Sequence, residues 1–328
     1  MKRIGTMLFL LVAALFISNC AAPQVKLFTD ASDPLKESVL QGTEKGKVLI
    51  ISLRGFISTR PNDGMLRTMP SMIQEVTSQL RMAEKDKEIK CVLLKVDSPG
   101  GSATASDILY HEIMAFKQRT QKKIVVCMMG IATSGGYYVS LPADLIFAHP
   151  TTITGSVGVV YMRPNVTRLI DKIGFSMEVS KSGPNKDMGS PFRQTTAEEE
   201  LILQDVTDGL ADQFLNLVEN HRGLSPDMLT TISTARVYLA AEAKGLGLID
   251  RVGYLDEALT EAMRISGLPQ KAKVVVYRRT VFPNDNVYNP LTTGSHLSTK
   301  PILDLGIPDP THQLSPGFYY IWTPALGL

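Results

Sequence analysis

The feature that most constrains the fold is an alternation of continuous apolar segments with amphipathic ones between residues 47 and 130. The apolar segments are "KVLIISLRG" (47–55), "IKCVLLKV" (89–96) and "KKIVVCMMG" (122–130). Between them, "SMIQEVTSQLRMAEKDKE" (71–88) and residues 102–119 place apolar side chains at helical spacing. Uninterrupted apolar strands are typical of sheets that helices cover on both faces. The sequence therefore predicts an α/β fold with a mainly parallel sheet.

This pattern continues to about residue 280, so a single domain is predicted over residues 46–280. "SGGYYVSLPAD" (134–144) predicts a short helix, "LIFAHP" (145–150) a strand, and "AKVVVYRR" (272–279) a last strand. A long helix is predicted from residue 195, because Thr195 precedes Glu198 by three residues, the spacing of a capping box.

The first twenty residues have the layout of an export signal. Lys2 and Arg3 precede an uncharged run from Met7 to Ile17, and Cys20 follows small and polar residues. A cysteine in this place resembles the bacterial lipoprotein box, although Asn19 departs from it, and predicts lipidation at Cys20. An uncleaved anchor or a simple export signal are the alternatives. Residues 21–45 are predicted to tether the domain to the membrane.

Beyond residue 280 the chain is rich in Pro, Asn, Thr and Gly without periodicity, which predicts an extended tail over residues 281–328. Its apolar end, "GFYYIWTPALGL" (317–328), leaves two alternatives open. It docks into a groove or another subunit, or it is a mobile terminus.

Composition narrows the function classes. A formal net charge of +2 is spread along the 328 residues, so no nucleic-acid partner is predicted. Cys91 and Cys127 lie in apolar strand segments and are expected to be buried free thiols. No C-x-x-C spacing occurs, so neither a metal site nor a cofactor is predicted.

Ser134 is a candidate nucleophile because it follows a predicted strand, starts a predicted helix and is flanked by small residues. The alternative is that its side chain caps the helix. A serine nucleophile needs a base, and none of the five histidines, His149 included, lies in a recognisable catalytic motif. A lysine can act as base where desolvation lowers its pKa, and Lys181 and Lys186 lie in the loop "VSKSGPNKDMGSPFR" (179–193). From these residues alone the base stays open.

Four ordered motifs and a distal one resemble the signal peptide peptidase A family of serine/lysine peptidases, whose fold is related to ClpP and the crotonases. The resemblance covers roughly residues 47–265. It rests on "VDSPGGS" (96–102), "ATSGGYYVSLPAD" (132–144), "TITGSVGV" (152–159), "SGPNKDMGSPFR" (182–193) and "ARVYLAAEAKGLGLIDRVG" (235–253).

The resemblance implies a role for each matching residue. Ser134 would be the nucleophile, Lys186 the general base, and Ser156 the hydroxyl that orients the lysine. Gly101 would supply one amide of the oxyanion hole, and Gly135, at the helix start, is a reasonable second donor. For Gly100 and Gly101 the alternative is a plain turn after Pro99, and for Ser156 it is a plain cap.

The activity implied is that of a serine endopeptidase that cleaves apolar peptides, such as remnant signal peptides, through an acyl-enzyme. Single-copy members form rings in which neighbouring protomers contribute serine and lysine to each site, so a homo-oligomer is expected. The protein would be exported and tethered to a bacterial cell membrane through its N-terminal lipid or anchor. Two other functions stay open: a scaffold or peptide receptor with the tail covering its groove, and an acyl-CoA enzyme of the crotonase type.

Overall fold

The structure is a computed structural model that describes residues 33–64, 67–280, 285–289 and 317–326. The predicted signal segment with Cys20, and most of the predicted tail, lie outside these residues. Among the described helices, none combines the length and the apolar character that crossing a bilayer requires.

The strands, in chain order, are β1 Lys36–Gln41, β2 Glu44–Arg54, β3 Asn62–Gly64, β4 Arg67–Met69, β5 Ile89–Ser98, β6 Gly100–Ser102, β7 Lys123–Thr133, β8 Leu145–Ala148, β9 Ile153–Gly155, β10 Val160–Met162, β11 Val237–Leu239, β12 Arg251–Val252, β13 Ala272–Arg278 and β14 Gly317–Ile321. The helices are α1 Met72–Lys85, α2 Ala103–Thr120, α3 Gly135–Tyr138, α4 Thr167–Ile173, α5 Ala197–Arg222, α6 Pro226–Ile232, α7 Ala240–Gly245 and α8 Leu255–Ile265, followed by a 3-10 turn at Thr323–Leu326.

Nine of the described strands form one sheet, with β1-β13-β2-β5-β7-β8-β12 in order and β9 and β11 attached beside β7. The pairs from β13 to β12 and the pair of β7 with β9 are parallel, whereas β1 and β11 pair antiparallel. The predicted mainly parallel α/β fold is confirmed. A second, three-stranded sheet, β10-β14-β6, lies at the ends of the central strands.

The core occupies both faces of the large sheet. Along β2, Leu49 and Ile51 pack with α1 and α2 on one face, whereas Val48 and Ile50 pack with α8 on the other. Burial on both faces explains why these strands are apolar without interruption. Cys91 and Cys127 are buried and free, as predicted.

Two boundaries differ from the sequence analysis. Lys36–Gln41, predicted as part of the tether, forms β1 and pairs with β13, so the folded body begins before residue 46. The capping box of α5 is formed by Thr196 and Glu199 rather than by Thr195 and Glu198. Both pairs have the required spacing, and the chain uses the one that places Glu199 in contact with Arg193.

Candidate active site

Ser134 lies in a sharp turn between β7 and α3. Its φ and ψ are 53° and −116°, a conformation that side-chain-bearing residues rarely adopt and that costs about 1–3 kcal/mol. Its main-chain amide donates to the Gly155 carbonyl at 2.8 Å, and its own carbonyl accepts from the Tyr138 amide at 2.8 Å. These bonds to β9 and α3 hold the strained turn in place.

The Ser134 side chain does not cap the helix, which argues against the plain N-cap alternative. It is buried, with 1% of its surface exposed, and its Oγ lies 3.5 Å from the Gly158 carbonyl oxygen. A buried serine held in strain and left without a capping role is typical of a functional position.

The glycines predicted to form the oxyanion hole lie beside this turn. Gly101 is in β6 and Gly135 is the first residue of α3. A Cβ built on Gly100 would lie 2.7 Å from the Gly135 amide nitrogen, so the two glycine segments are in contact. Gly100 has φ of 101° and tolerates no side chain at this approach. The structure brings Ser134, Gly101 and Gly135 together.

Ser156 follows the Gly155 that binds Ser134, and its main-chain amide donates to the Arg236 carbonyl at 2.8 Å. It is buried and has a φ of 52°, so it belongs to the same cluster of strained residues. A residue that only caps a helix does not need a strained backbone, so the strain at Ser156 argues against the plain cap alternative.

Lys186, the predicted base, is not part of the cluster around Ser134. It belongs to an excursion from the body, residues 166–191, that we call the arm, and its side chain is exposed. The arm is closed at its base by the Val166 amide, which donates to the Pro191 carbonyl at 2.9 Å. Within this single chain the structure does not bring Lys186 to Ser134.

A charge network anchors the C-terminal side of the arm. The Arg193 guanidinium donates to Asp187 at 2.8 Å and also contacts Glu199 at the start of α5. Hydrogen bonds from Arg193 hold the pKa of Glu199 at about 2, and they hold the pKa of Asp187 well below its usual range. Lys181, the other lysine of the 179–193 loop, forms an ion pair with Asp187 at 2.7 Å.

Two of the histidines in the described part of the chain have structural partners. The His221 ring lies 2.8 Å from the Tyr110 hydroxyl, and the His149 ring lies 2.9 Å from the Thr151 hydroxyl. Burial lowers the pKa of His221. These contacts agree with the absence of a catalytic assignment for His149 in the sequence analysis.

Of the two alternatives for the apolar C-terminal end, the structure shows docking. Gly317–Ile321 forms β14, which pairs antiparallel with β6 on one side and with β10 on the other. A peptide strand therefore lies directly against the Gly101 segment. Sequence reasoning did not identify the residues that receive it, Tyr138 and Phe214, because their proximity depends on contacts between distant parts of the chain.

Two protein-family models match parts of this chain. The sequence model of the family Peptidase family S49 matches residues 116–268, and the sequence model of the family Clp protease matches residues 67–151. Together these matches include the Ser134 turn, the arm and the segment through α8. They favour a peptidase over the acyl-CoA alternative.

Individual relatives give the same result. A protein of Enterococcus faecium that carries the name signal peptide peptidase SppA is 30% identical over 77% of this chain and 73% of its own length. A Synechocystis protein that carries the name of a protease is 32% identical over 70% of this chain and 78% of its own length. Protease 4 of Haemophilus influenzae is 33% identical over 79% of this chain, which spans 41% of that larger protein. The chain belongs to peptidase family S49.

Proposed function

We propose that this serine protease is an endopeptidase with a Ser/Lys dyad, in which Ser134 is the nucleophile and Lys186 the general base. The observation that carries the proposal is the peptide strand β14, which lies extended along Gly101 beside the strained Ser134 turn. A site that accepts an extended peptide next to a buried serine and two glycine amides suits acyl transfer.

The reaction follows from these positions. The neutral amine of Lys186 takes the Ser134 proton as Oγ attacks the peptide carbonyl carbon, and the amides of Gly101 and Gly135 stabilise the oxyanion. The C–N bond then breaks, the leaving amine takes the proton from the lysine, and an acyl-enzyme remains. Water, deprotonated by the same lysine, releases the acid and restores the serine. Ser156 orients the amine.

A second copy of the chain would supply the lysine. A lysine is a base only when it is unprotonated, which requires removal from water, yet Lys186 is exposed in the single chain. The arm also exposes apolar side chains at every second residue, Ile173, Phe175, Met177 and Val179. Exposed apolar runs of this kind mark interaction surfaces. Packing of the arm on a neighbouring copy would bury them and bring Lys186 to that copy's Ser134, in agreement with the expected ring.

The test uses an apolar fluorogenic peptide and three full-length variants. Ser134→Ala and Lys186→Ala are expected to reduce hydrolysis by about 10³-fold or more, as removal of a catalytic nucleophile or base does. Lys172→Ala, the control, removes another exposed lysine of the same arm and keeps activity close to that of the wild type. Wild-type rates in Lys186→Ala would contradict the dyad.

Mixing tests the contribution of the neighbour. If each site draws its serine and lysine from different copies, combining inactive Ser134→Ala with inactive Lys186→Ala restores part of the activity after subunit exchange. A strictly monomeric preparation with full activity would exclude the ring.

The peptide-receptor alternative is supported by one observation, the occupation of the groove by β14. It predicts that the wild-type chain binds apolar peptides and leaves them intact, with Ser134→Ala binding them equally well. Ser134-dependent release of cleavage products would eliminate it.

We further propose export and membrane tethering, as implied by the signal layout before Cys20. As substrates we propose apolar peptides, among them the remnant signal peptides that the resemblance implies, and these would be found at that membrane. Mass spectrometry of the mature N-terminus is expected to show a lipidated Cys20. An unmodified N-terminus at Met1 would contradict this expectation.

A further inference from the structure

We propose that a cavity at the base of the arm binds a phosphate-type oxyanion, which clamps the arm to the body. The cavity has a volume of about 430 Å³ and is lined by residues that follow β10 and by residues at the starts of α4 and α5. Two of them are arginines, Arg163 after β10 and Arg168 in α4. None of the lining residues takes part in the reaction proposed above.

The Arg163 guanidinium is held in place but keeps one donor without an acceptor. Its Nη2 donates to Glu200 Oε1 at 2.5 Å, and its central carbon lies 6.0 Å from the centre of the Tyr161 ring. Its Nη1 is buried, and no acceptor in the described part of the chain bonds it. A buried donor is costly unless an acceptor satisfies it, so Nη1 points to an oxygen that a ligand supplies.

The charges of the cavity favour an anion. The Glu200 carboxylate balances Arg163, to which it is bonded. Arg168 is exposed, and among the described residues no carboxylate forms an ion pair with it. Two guanidinium groups against one carboxylate leave an excess of positive charge. Because guanidinium groups bind carboxylates and phosphates in preference to neutral groups, the ligand class is an oxyanion.

The neutral groups of the cavity select a phosphate rather than a carboxylate. Asn165 Oδ1 accepts from the amide and the hydroxyl of Thr167 at 3.1 and 2.7 Å, which leaves the Asn165 Nδ2 group as a donor. Gln194 and Thr195 add an amide and a hydroxyl from the other side of the arm. A carboxylate offers two oxygens in one plane, whereas a phosphate offers oxygens in several directions to donors that surround it.

The position of the cavity explains why a bound oxyanion would hold the arm. Arg168 belongs to the arm, and Arg163 belongs to the body just before it. An oxyanion between the two arginines therefore joins both parts. Tyr161, beside the Arg163 guanidinium, also touches the far side of the arm, because a Cβ built on Gly189 would lie 2.6 Å from its hydroxyl. Occupation of the cavity thus restrains both ends of the arm.

The first test measures binding of inorganic phosphate to the full chain by calorimetry at constant ionic strength. We expect saturable binding to the wild type, and a dissociation constant about 10-fold or more higher in Arg163→Gln and in Arg168→Gln. Arg168 is exposed, so its replacement leaves the fold intact even if Arg163→Gln does not.

Lys172→Gln is the matched control, because it removes one positive charge from the same helix but does not line the cavity. It should bind phosphate like the wild type. An equal loss of binding in Lys172→Gln, or the absence of saturable binding in the wild type, would overturn the proposal.

The second test defines the ligand. Acetate should bind much more weakly than phosphate, and equal binding of the two would overturn the phosphate class. A phospholipid headgroup and a free phosphate share the chemistry of the site, and monomeric short-chain phosphatidylglycerol distinguishes them. Tighter binding of the lipid than of inorganic phosphate assigns the site to a headgroup, and the reverse order assigns it to a free phosphate; both support the site.

The third test measures the clamp by amide hydrogen exchange in residues 166–191. Saturating phosphate should slow exchange there in the wild type and in Lys172→Gln, and should have no effect in Arg168→Gln. Unchanged exchange in the wild type would reject the clamp. None of these measurements uses a peptide substrate, so the proposal is tested independently of the Ser/Lys dyad.

Discussion

The Ser134 amide donates a 2.8 Å hydrogen bond to the Gly155 carbonyl, and both residues have positive φ, 53° and 86°. The turn that carries the serine is thus held by the end of a neighbouring strand as well as by its own helix. Adjacent parallel strands that end together can impose such a conformation, because their main-chain groups pair across the ends. The nucleophile position depends on the integrity of the β7–β9 pair.

Gly100→Ala should abolish activity and destabilise the protein. Its Cβ would lie 2.0 Å from the Tyr320 carbonyl oxygen at a φ of 101°, which we expect to cost at least ~2 kcal/mol. Gly209→Ala is the matched control, since nothing lies within 4 Å of a Cβ there. That change in α5 should stabilise by about 0.5–1 kcal/mol. Urea unfolding of both variants checks this, and equal stability would contradict the close approach.

Tyr320→Ala should raise the rate of peptide hydrolysis and loosen the docked strand β14. Loss of the contacts with Tyr138 and Phe214 removes about 2–4 kcal/mol of packing from the docked strand. Residues 317–326 should then become sensitive to limited proteolysis, while hydrolysis of an added peptide rises because the groove is vacated. Greater proteolytic sensitivity with unchanged hydrolysis would show that β14 does not compete with substrate.

The Arg193 network should make the start of α5 sensitive to acid. The pKa of Glu199 is lowered to about 2 by hydrogen bonds from Arg193, so its contribution is present above the ordinary carboxyl pKa, near 4.3, and is lost as pH falls toward 2. Glu199→Gln keeps an acceptor for the Thr196 amide but removes the charge. Its unfolding midpoint should fall less between pH 5 and pH 2.5 than that of the wild type. Parallel pH profiles would contradict the assignment.

Because of Lys95, the free energy of unfolding should increase with pH under mildly alkaline conditions. Burial lowers its pKa to about 8, although its Nζ donates to the Val287 carbonyl at 2.7 Å. The unfolded chain then binds more protons between pH 8 and about 10.4, so stability increases with pH across that window. In Lys95→Met this increase should be absent. Denaturation at pH 7.5 and pH 9.5 compares the two proteins, and an equal rise in both would reject the prediction.

Much of the large sheet was predictable because its strands are buried on both faces. The middle of each strand is apolar at consecutive positions, as "CVLL" (91–94) illustrates, and this pattern is typical of a strand buried on both faces. Lys36–Gln41 was missed because an edge strand with exposed polar residues has no such pattern. The register of the capping box was missed because two Thr and Glu pairs satisfy the same spacing.

The candidate site was predictable only in part, for a different reason. The turn around Ser134 is encoded by small residues next to a strand, which are local in sequence. The contact between Tyr320 and Phe214 joins residues that only the folded topology brings together, so no pattern in the neighbouring sequence predicts it. Lys186 lies apart from Ser134 in the single chain, so the proposed dyad concerns a relation between copies.

The pairing of β1 with β13 has a consequence for how the chain is made. Lys36–Gln41 is the first described strand, yet its partner is Ala272–Arg278, near the end of the body. Contacts of such sequence separation form late and slowly. The N-terminal end of the chain emerges first, so the β2 edge of the sheet stays without its neighbour until β13 follows, and the body completes its fold only after most of the chain has emerged. A chain truncated before residue 272 would keep an open edge able to pair with other chains.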